Sequence, residues 1–450
     1  MAKSNDLARL PGFRDFPPED LDLRNRLFDT WRRVSRRYGF VEYDAPPLEP
    51  LDLYTAKSGA EIVEQLYTFT DKGGREVALR PEMTPSLARV LGERSRSMPK
   101  PIRWFSVPQL FRYERQQKGR LREHFQWNVD VVGEAGVEAD AEVLAVGLHA
   151  LRELGLGADQ IRARISDRPL LAALLQALGV REDRLETAYL VVDKVERGSR
   201  EGLLERLTDP EGVDLEPDEA EAVLGLFDAP ELDRVEARYG DRPGVGERIA
   251  EVRSLLEILD DLGFGDFVEF DLTVVRGLAY YTGIVFEIFD RKGEFRAICG
   301  GGRYDRLLEL VGGEPLPAVG FGMGDVVLGE LLRERGLVPE FQRELDFFIV
   351  SIGDEQRPLA RQVARSLRAV GRSVAYPLRD QSVRKQFAQA ASEGAREVVV
   401  LGPGEVERGV ALIREMAGGE EREVALQALR DPERAGSELA GAGASGMEGR

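Results

Sequence analysis

The chain has 450 residues and a formal net charge of −18, with 62 Lys and Arg against 80 Asp and Glu. This length predicts roughly two to four domains, and 43% hydrophobic with 32% charged residues is typical of a globular protein. The acidic balance argues against a protein that coats nucleic acid or anionic membranes without specificity.

Cysteine and histidine usage excludes two further classes of protein. Cys299 is the single cysteine, so no intrachain disulfide can form, and with only two histidines a His/Cys zinc site is not expected. No stretch reaches the ~18 apolar residues of a membrane helix, and the N-terminus lacks the apolar core of a signal peptide. A cytoplasmic protein that uses no membrane is therefore expected.

The first 160 residues combine a helix with a long β-hairpin. Apolar residues at helical spacing predict a helix over 20–38, which Gly39 caps, and FVEYDAPPLEP predicts a strand that runs into prolines. The runs IRWFSVPQLFRYE and HFQWNVDVVG predict the two strands of the hairpin, joined by the polar loop Arg115–Arg122. Ala139–Leu154 has the period of a second helix.

The remaining segments predict an insertion and a second domain. Residues 170–262 have helical periodicity and are rich in Leu, Ala and Glu, which predicts a helical insertion within a domain of residues 1–337. Strands and helices then alternate over 344–430, as in a small α/β domain. The small, polar tail 431–450 is predicted to be disordered.

The densest local charge lies between Lys100 and Arg122, with seven basic residues against one acid, Glu114. A solvated, arginine-rich hairpin would explain the charge alone. However, Arg112 and Glu114 alternate on one face of the predicted strand, and a guanidinium can bind a phosphate through two parallel hydrogen bonds. The segment is therefore also a candidate site for nucleotide.

Three further segments have both a structural and a functional interpretation. In Leu79–Pro85, Glu82 is either a loop residue or the partner of an ammonium group, with Thr84 adding a hydroxyl. Arg276 in VRGLAYYTG lies in an edge strand or binds a buried anion. The glycines of GGGRYD allow close backbone approach, but the segment matches neither a phosphate-binding loop nor a dinucleotide fingerprint.

In this order, these segments resemble the histidyl-tRNA synthetases, class II aminoacyl-tRNA synthetases, over residues 8 to 428. YDAPPLEP is similar to motif 1, FRYERQQKGRLREHFQWNVDVVG to motif 2, RGLAYYTGIVFE to the histidine-specific signature, and GGGRYDRLLELVGG with AVGFGMG to the approach to motif 3. The resemblance implies an α+β catalytic core, an antiparallel sheet flanked by helices, with a helical insertion and a C-terminal α/β anticodon-binding domain. It also implies a homodimer.

The resemblance implies that L-histidine and ATP form histidyl-adenylate, and that histidine is then transferred to tRNA(His); no DNA partner is implied. Arg112 and Arg276 would be catalytic, because two anions must be brought together, and Mg²⁺ is expected with ATP although no metal ligand of the chain is assigned. The implied histidine-binding residues are Glu82, Met83, Thr84, Arg112, Gln126, Asp130, Arg276, Tyr280 and Tyr281. The implied ATP-binding residues are Arg112, Glu114, Arg120 and Arg303, and those for tRNA are Arg115, Gln117, Lys118, Arg384 and Lys385.

Three positions depart from the family pattern. Ala279 stands where an acid is common, and Gln116 stands where a proline often occurs. After GFGMG the family presents an arginine that stacks on adenine, whereas this chain has Val327, and Arg303 is a candidate substitute. The overall form resembles the organellar-type branch found in plants.

Two rival functions share this fold. The synthetase-like regulatory subunit of ATP phosphoribosyltransferase binds histidine as an effector, and the loss at Val327 favours it. Arg112, Arg276 and the C-terminal domain favour the synthetase. A catalytically silent tRNA-binding or interaction protein is the second rival.

Overall fold

The computed structural model describes residues 8–55, 65–115, 119–195, 198–228, 230–275 and 281–434. The chain divides into two compact units, Met1–Pro339 and Glu340–Arg450. Part of the segment 431–450, predicted to be disordered, lies outside the described residues. Within the described ranges, no helix is long and apolar enough to cross a membrane.

Some helices of the first unit pack against its main sheet, and others form the stretch of chain that connects two of its strands. They are α1 Pro18–Arg37, α2 Asp52–Thr55, α3 Thr84–Arg94, α4 Val137–Glu153, α5 Arg168–Ala177, α6 Leu185–Val192, α7 Arg200–Thr208, α8 Pro217–Gly225, α9 Leu232–Tyr239, α10 Val245–Asp261 and α11 Asp325–Glu334. Those of the second unit are α12 Arg357–Ala369, α13 Val383–Ser392, α14 Pro403–Glu407 and α15 Leu426–Arg430.

The strands of the first unit are β1 Val41–Glu42, β2 Leu48–Pro50, β3 Tyr67–Thr70, β4 Glu76–Leu79, β5 Ile102–Ser106, β6 Gln109–Phe111, β7 Glu123–Val132, β8 Ile161–Asp167, β9 Val268–Phe270, β10 Ile284–Asp290, β11 Cys299–Arg303 and β12 Ala318–Gly324. Those of the second unit are β13 Leu345–Ser351, β14 Val374–Ala375, β15 Ala395–Leu401, β16 Val410–Glu415 and β17 Glu421–Ala425.

The main sheet is largely antiparallel, as predicted for the catalytic core. Among the described residues its order is β1-β5-β7-β12-β11-β10-β8-β9, with β6 also paired to β7. The β1–β5 and β8–β9 pairs are parallel. The predicted hairpin is confirmed, because β5 and β6 both pair antiparallel with β7. A small sheet, β2-β4-β3, precedes the loop that contains Glu82.

One face of the main sheet packs on helices. Trp127, Phe321 and Phe286 are buried there in a core that also contains Leu144 of α4 and Leu255 of α10. The predicted helical insertion is thus packed into the same hydrophobic core as the sheet. Since side chains alternate along a strand, the residues between these buried ones lie on the opposite face.

The second unit is an α/β domain. Its sheet has the order β14-β13-β15-β16-β17, with β14, β13 and β15 parallel and the last two pairs antiparallel. The strand β14 is only two residues long, and it stops before Pro377, which cannot donate a backbone hydrogen bond.

Candidate active site

Gln126 and Asp130, two of the predicted site residues, lie on the sheet face opposite the helix-covered core. On β7, Gln126, Asn128 and Asp130 alternate with Trp127 and Val129, which are fully buried. Gln126, Asn128 and Asp130 are paired in register with Gly324, Gly322 and Gly320 of β12. The period of two therefore places Gln126 and Asp130 on a common surface beside a strand whose facing positions have no side chains.

Glycines give this surface a flat floor. Gly322 and Gly320 of β12 pair with Gly300 and Gly302 of β11. A Cβ at Gly320 would overlap the carboxylate of Asp130 and the hydroxyl of Tyr304, and one at Gly322 would overlap the amide of Gln126. The glycine cluster noted in the sequence thus allows side chains from β7 to lie across the neighbouring strands.

Asp130 is a buried carboxylate that accepts a hydrogen bond from the Tyr304 hydroxyl. Burial raises the pKa of Asp130 to about 7, although the bond from Tyr304 opposes this rise. Tyr281 is half-buried, with its ring centroid 6.4 Å from that of Tyr304. The site therefore contains a carboxylate that changes charge near neutral pH, next to two tyrosines.

The loop that follows β4 is held by Arg80. The buried guanidinium of Arg80 donates to Asp44 Oδ1 at 2.7 Å and to the Gln109 carbonyl at 3.0 Å. Arg112 Nε donates to the Pro81 carbonyl at 2.9 Å, next to Glu82. Burial raises the pKa of Glu82, and the charge of Arg112 opposes the rise. The guanidinium of Arg112 and the carboxyl group of Glu82 are thus neighbours.

Thr84 and Met83 differ in what they can offer a ligand. Thr84 is half-buried at the first position of α3. Met83, predicted as a substrate contact, is only 1% exposed, and its Sδ lies 3.9 Å from Arg80 Nη1. Met83 is therefore a buried residue that packs against Arg80, and its side chain does not reach the site surface.

A cavity of about 230 Å³ adjoins Gln126. Its polar lining consists of Arg112, Arg120, His124, Gln126, Glu287 and Arg296, and its apolar wall contains Leu121, Ala297, Ile298, Val326 and Val327. Arg120 Nε lies 2.5 Å from Oε2 of Glu114, which is buried. The predicted ATP ligands Arg112 and Arg120 therefore meet at one cavity, with Glu114 behind Arg120.

His124 is a lining residue that sequence reasoning missed. Burial, reinforced by the charge of Arg112, lowers the pKa of His124 to about 3, so its ring is neutral. The alternation that relates Gln126 to Asp130 extends to His124 and could have identified it. Arg296 lies in the connection between β10 and β11, and no pattern in the sequence pointed to it.

Arg303, a predicted ATP ligand, lies on the other face of the sheet. It is 5% exposed and forms an ion pair with Asp140 of α4, and it also donates to the carbonyls of Glu134 and Gly136 at 3.0 and 3.1 Å. Gly300 and Gly302 face the site, so residue 303 must face the core side. We therefore assign Arg303 to the structural core and not to the nucleotide site.

The remaining predicted ligands of the first unit are only partly covered by the structure. Arg276, Tyr280, Gln117 and Lys118 lie outside the described residues. Arg115 is exposed at the start of the hairpin loop. In the ranges that are described, no group of three or more His, Cys, Asp or Glu side chains is placed to hold a metal ion.

In the second unit, Arg384 and Lys385 are exposed in the first turn of α13. The start of this helix, Ser382 and Val383, lines a cavity of about 210 Å³ together with Arg357 and Arg379. The buried Gln386 ties α13 to the end of β13, since it accepts from the Ser351 N–H at 3.0 Å and donates to the Ser351 carbonyl at 2.9 Å. The two predicted tRNA contacts therefore lie on a helix that is hydrogen-bonded to the sheet, near Arg357 and Arg379.

Comparison with known proteins agrees with this arrangement. The family model for histidyl-tRNA synthetase matches residues 12–324, and that for an anticodon binding domain matches residues 346–431. The chain is 45% identical to a histidine–tRNA ligase from Opitutus terrae, over 92% of this chain and 95% of the relative. It is 41% identical to the chloroplastic/mitochondrial histidine–tRNA ligase of Arabidopsis thaliana, over 95% of this chain and 87% of the relative.

The fold agrees as well. A crystal structure of histidyl-tRNA synthetase from Nostoc sp. PCC 7120 superimposes with a TM-score of 0.78 at 24% identity, covering 95% of this chain and 99% of that one. A match of the family model over most of the catalytic unit, together with relatives above 40% identity over nearly the whole chain, is decisive. The chain belongs to the histidyl-tRNA synthetase family.

Proposed function

We propose that this chain is a histidine–tRNA ligase, which activates L-histidine with ATP and transfers it to the 3′ end of tRNA(His). The observation that supports this most directly is the sheet face that carries Gln126 and Asp130 beside Arg112 and Glu82. It offers partners for an imidazole, an ammonium group and two anions, which are the groups that histidine and ATP present.

In the activation step, a carboxylate oxygen of histidine attacks the α-phosphorus of ATP. The new O–P bond replaces the bond to pyrophosphate, which leaves with its electron pair. Arg112 binds both the carboxylate and the α-phosphate, and Arg276 stabilises the charge from the other side, because preorganised cations lower the barrier most where negative charge concentrates. Glu114 and Arg120 bind ATP, with which Mg²⁺ is expected to enter.

Histidine is recognised by two sets of groups. Glu82, Thr84 and Gln126 bind its α-amino group, while Asp130 and Tyr281 hydrogen-bond the two imidazole nitrogens, with Tyr280 beside them. A buried site that pairs both ring nitrogens leaves its own polar groups unsatisfied when another amino acid enters, and such sites discriminate by factors of about 10⁴ to 10⁵.

The tRNA is bound by both units. Arg115, Gln117 and Lys118 of the hairpin loop contact the acceptor end, and Arg384 and Lys385 contact the anticodon region from α13. The exposed positions of Arg115, Arg384 and Lys385 support this assignment. Because the arginine and lysine contacts are ion pairs with phosphates, tRNA affinity should fall as salt concentration rises.

We also propose that the chain acts as a homodimer in the cytoplasm. The edge strand β1 supports the dimer, because it pairs with β5 through one edge and its Val41 is 62% exposed. The unpaired edge of such a strand, next to an exposed apolar side chain, is a surface with which another chain can pair.

Histidine-dependent exchange between ATP and pyrophosphate, followed by charging of purified tRNA, tests the function. A ligase performs both reactions. Exchange without charging would contradict the ligase assignment, and a chain that shows no exchange but activates an ATP phosphoribosyltransferase would instead be a regulatory subunit.

The pKa of Asp130 predicts how histidine binding depends on pH. The ionised carboxylate accepts an imidazole N–H, and in the free protein it becomes protonated below a pH of about 7. The dissociation constant for histidine should therefore increase as the pH falls from 8 to 6, by up to about tenfold per unit below the pKa. Isothermal titration calorimetry across this range measures it.

Two variants separate Asp130 from the titration of histidine itself. Tyr304→Phe removes the bond that lowers the pKa of Asp130, so the rise in dissociation constant should begin at a higher pH. Asp130→Asn should bind histidine more weakly and keep only the pH dependence of the ligand. An unchanged pH profile in both variants would show that Asp130 does not contact the imidazole.

A further inference from the structure

Val327 leaves the cavity without the cation that the family places there. Val327 lines the cavity beside Val326 at the start of α11, and a Cβ added at Gly119 would lie 3.1 Å from Val327 Cγ2. Gly119 of the hairpin loop therefore lies next to the small apolar side chain of Val327. Valine offers no charge to a purine ring, so a contact between a cation and the ring requires another residue.

We propose that Arg296 supplies this interaction, by placing its guanidinium on the face of the adenine ring of ATP. Arg296 precedes β11 and is an exposed residue that lines the same cavity as Val327. This inference rests on the proposed use of ATP by the chain.

The lining of the cavity distinguishes a phosphate end from a base end. Arg112 marks the phosphate end, since its Nε is bound to the Pro81 carbonyl next to the amino-acid loop, where the histidine carboxylate and the α-phosphate must meet. The apolar residues Ala297, Ile298, Val326 and Val327 line the same cavity, together with the polar side chains of Gln126 and Glu287. A flat, weakly polar base is the part of ATP that fits such a wall.

The chain connectivity places Arg296 at the base end. Arg296 is followed directly by the lining residues Ala297 and Ile298, and the Ile298 N–H donates to the Ile288 carbonyl at 2.8 Å, which fixes the segment as it enters β11. A guanidinium over a π face is attracted by the ring quadrupole and is planar enough to stack. The cation thus approaches adenine from the β10–β11 connection and not from α11.

His124 strengthens the assignment to a base. Its ring lines the cavity, and because its pKa is lowered to about 3 it is neutral at physiological pH. A neutral aromatic ring offers a stacking surface without repelling Arg112, Arg120 or Arg296. Adenine would therefore find one aromatic and one cationic partner in the same cavity.

The pyrophosphate exchange assay tests the proposal, because it yields separate KM values for ATP, histidine and pyrophosphate. Arg296→Ala should raise the KM for ATP about tenfold, equivalent to about 1.4 kcal/mol, and leave the KM values for histidine and pyrophosphate within twofold. Arg296→Lys, which keeps the charge but loses the planar group, should lie between wild type and alanine. Arg291→Ala, an exposed arginine of the same connection outside the cavity lining, is the matched control and should resemble wild type.

Two results would overturn the proposal while leaving the ligase function intact. One is an Arg296→Ala chain whose KM for ATP stays within twofold of an active wild type. The other is a rise in the KM for pyrophosphate equal to that for ATP, which would make Arg296 a phosphate ligand. If the wild type shows no exchange, the function fails, and calorimetric titration with ATP decides the role of Arg296: binding weakened about tenfold in Arg296→Ala supports it, and equal binding overturns it.

Discussion

Replacing Arg112 by alanine is expected to lower kcat/KM for histidine-dependent pyrophosphate exchange about a thousandfold. The guanidinium lies where the histidine carboxylate and the α-phosphate have to approach each other, between the Glu82 loop and the nucleotide cavity. Removing a single preorganised donor at a developing negative charge costs about 10² to 10³ in rate. A residue that binds both reacting anions should be at the upper end, about 4 kcal/mol of transition-state stabilisation.

The fold should survive this change, because Arg112 is half-buried and its side chain donates a hydrogen bond to a loop carbonyl. Arg112→Lys tests geometry at constant charge, and we expect it to lose most of the activity, since an ammonium group cannot bind two oxygens in one plane. Arg94→Ala, an exposed arginine at the end of α3, is the control and should retain wild-type exchange. An Arg112→Ala chain within tenfold of wild type would remove Arg112 from the reaction.

Replacing Arg303 by methionine should destabilise the first unit by about 3 to 5 kcal/mol. Asp140 is 1% exposed, and Arg303 is its ion-pair partner. Without the guanidinium, Asp140 would be a buried charge without compensation, and the carbonyls of Glu134 and Gly136 would lose their donors. Urea unfolding followed by tryptophan fluorescence measures the loss, because all three tryptophans lie in this unit.

Two controls distinguish this structural role from nucleotide binding. Arg333→Met breaks an exposed pair with Asp20 on the same unit and should cost no more than about 1 kcal/mol. Asp140→Leu combined with Arg303→Met removes both charges and should recover part of the stability. A stable Arg303→Met chain with a raised KM for ATP would return Arg303 to the nucleotide site.

Arg112 and Arg303 differ in how much the sequence pattern reveals about the position of their side chains. Arg112 lies in a predicted strand of a strongly basic hairpin, so charge and alternation selected it as a candidate phosphate ligand, and the resemblance implied its catalytic role. Arg303 follows three glycines, which have no hydrophobicity that could reveal which face is buried. Its side is fixed by the register between β11 and β12, which pairs it with the buried Val319, and register is a property of the folded sheet.

Other features could not be predicted from the sequence, because they depend on contacts between distant parts of the chain or lack an apolar pattern. Asp325 follows the segment AVGFGMG, and its partners are Arg14 at 2.9 Å and the Phe125 N–H at 2.8 Å, both far away in the sequence. The edge strand β17, with the sequence EREVA, is mostly exposed and lacks the apolar pattern by which strands are recognised. The helices, the hairpin and the α/β unit were predictable because each shows a clear period or alternation of its own.

The glycine floor also limits how the specificity of this protein can be altered. Because a Cβ at Gly320 or Gly322 would collide with Asp130 or Gln126, random mutagenesis of β12 should yield few active variants, however large the library. Variation should be tolerated better in the loops next to the floor, such as the connection between β10 and β11. Directed evolution toward a histidine analogue should therefore accumulate its successful substitutions in these loops and leave the glycines of β11 and β12 untouched.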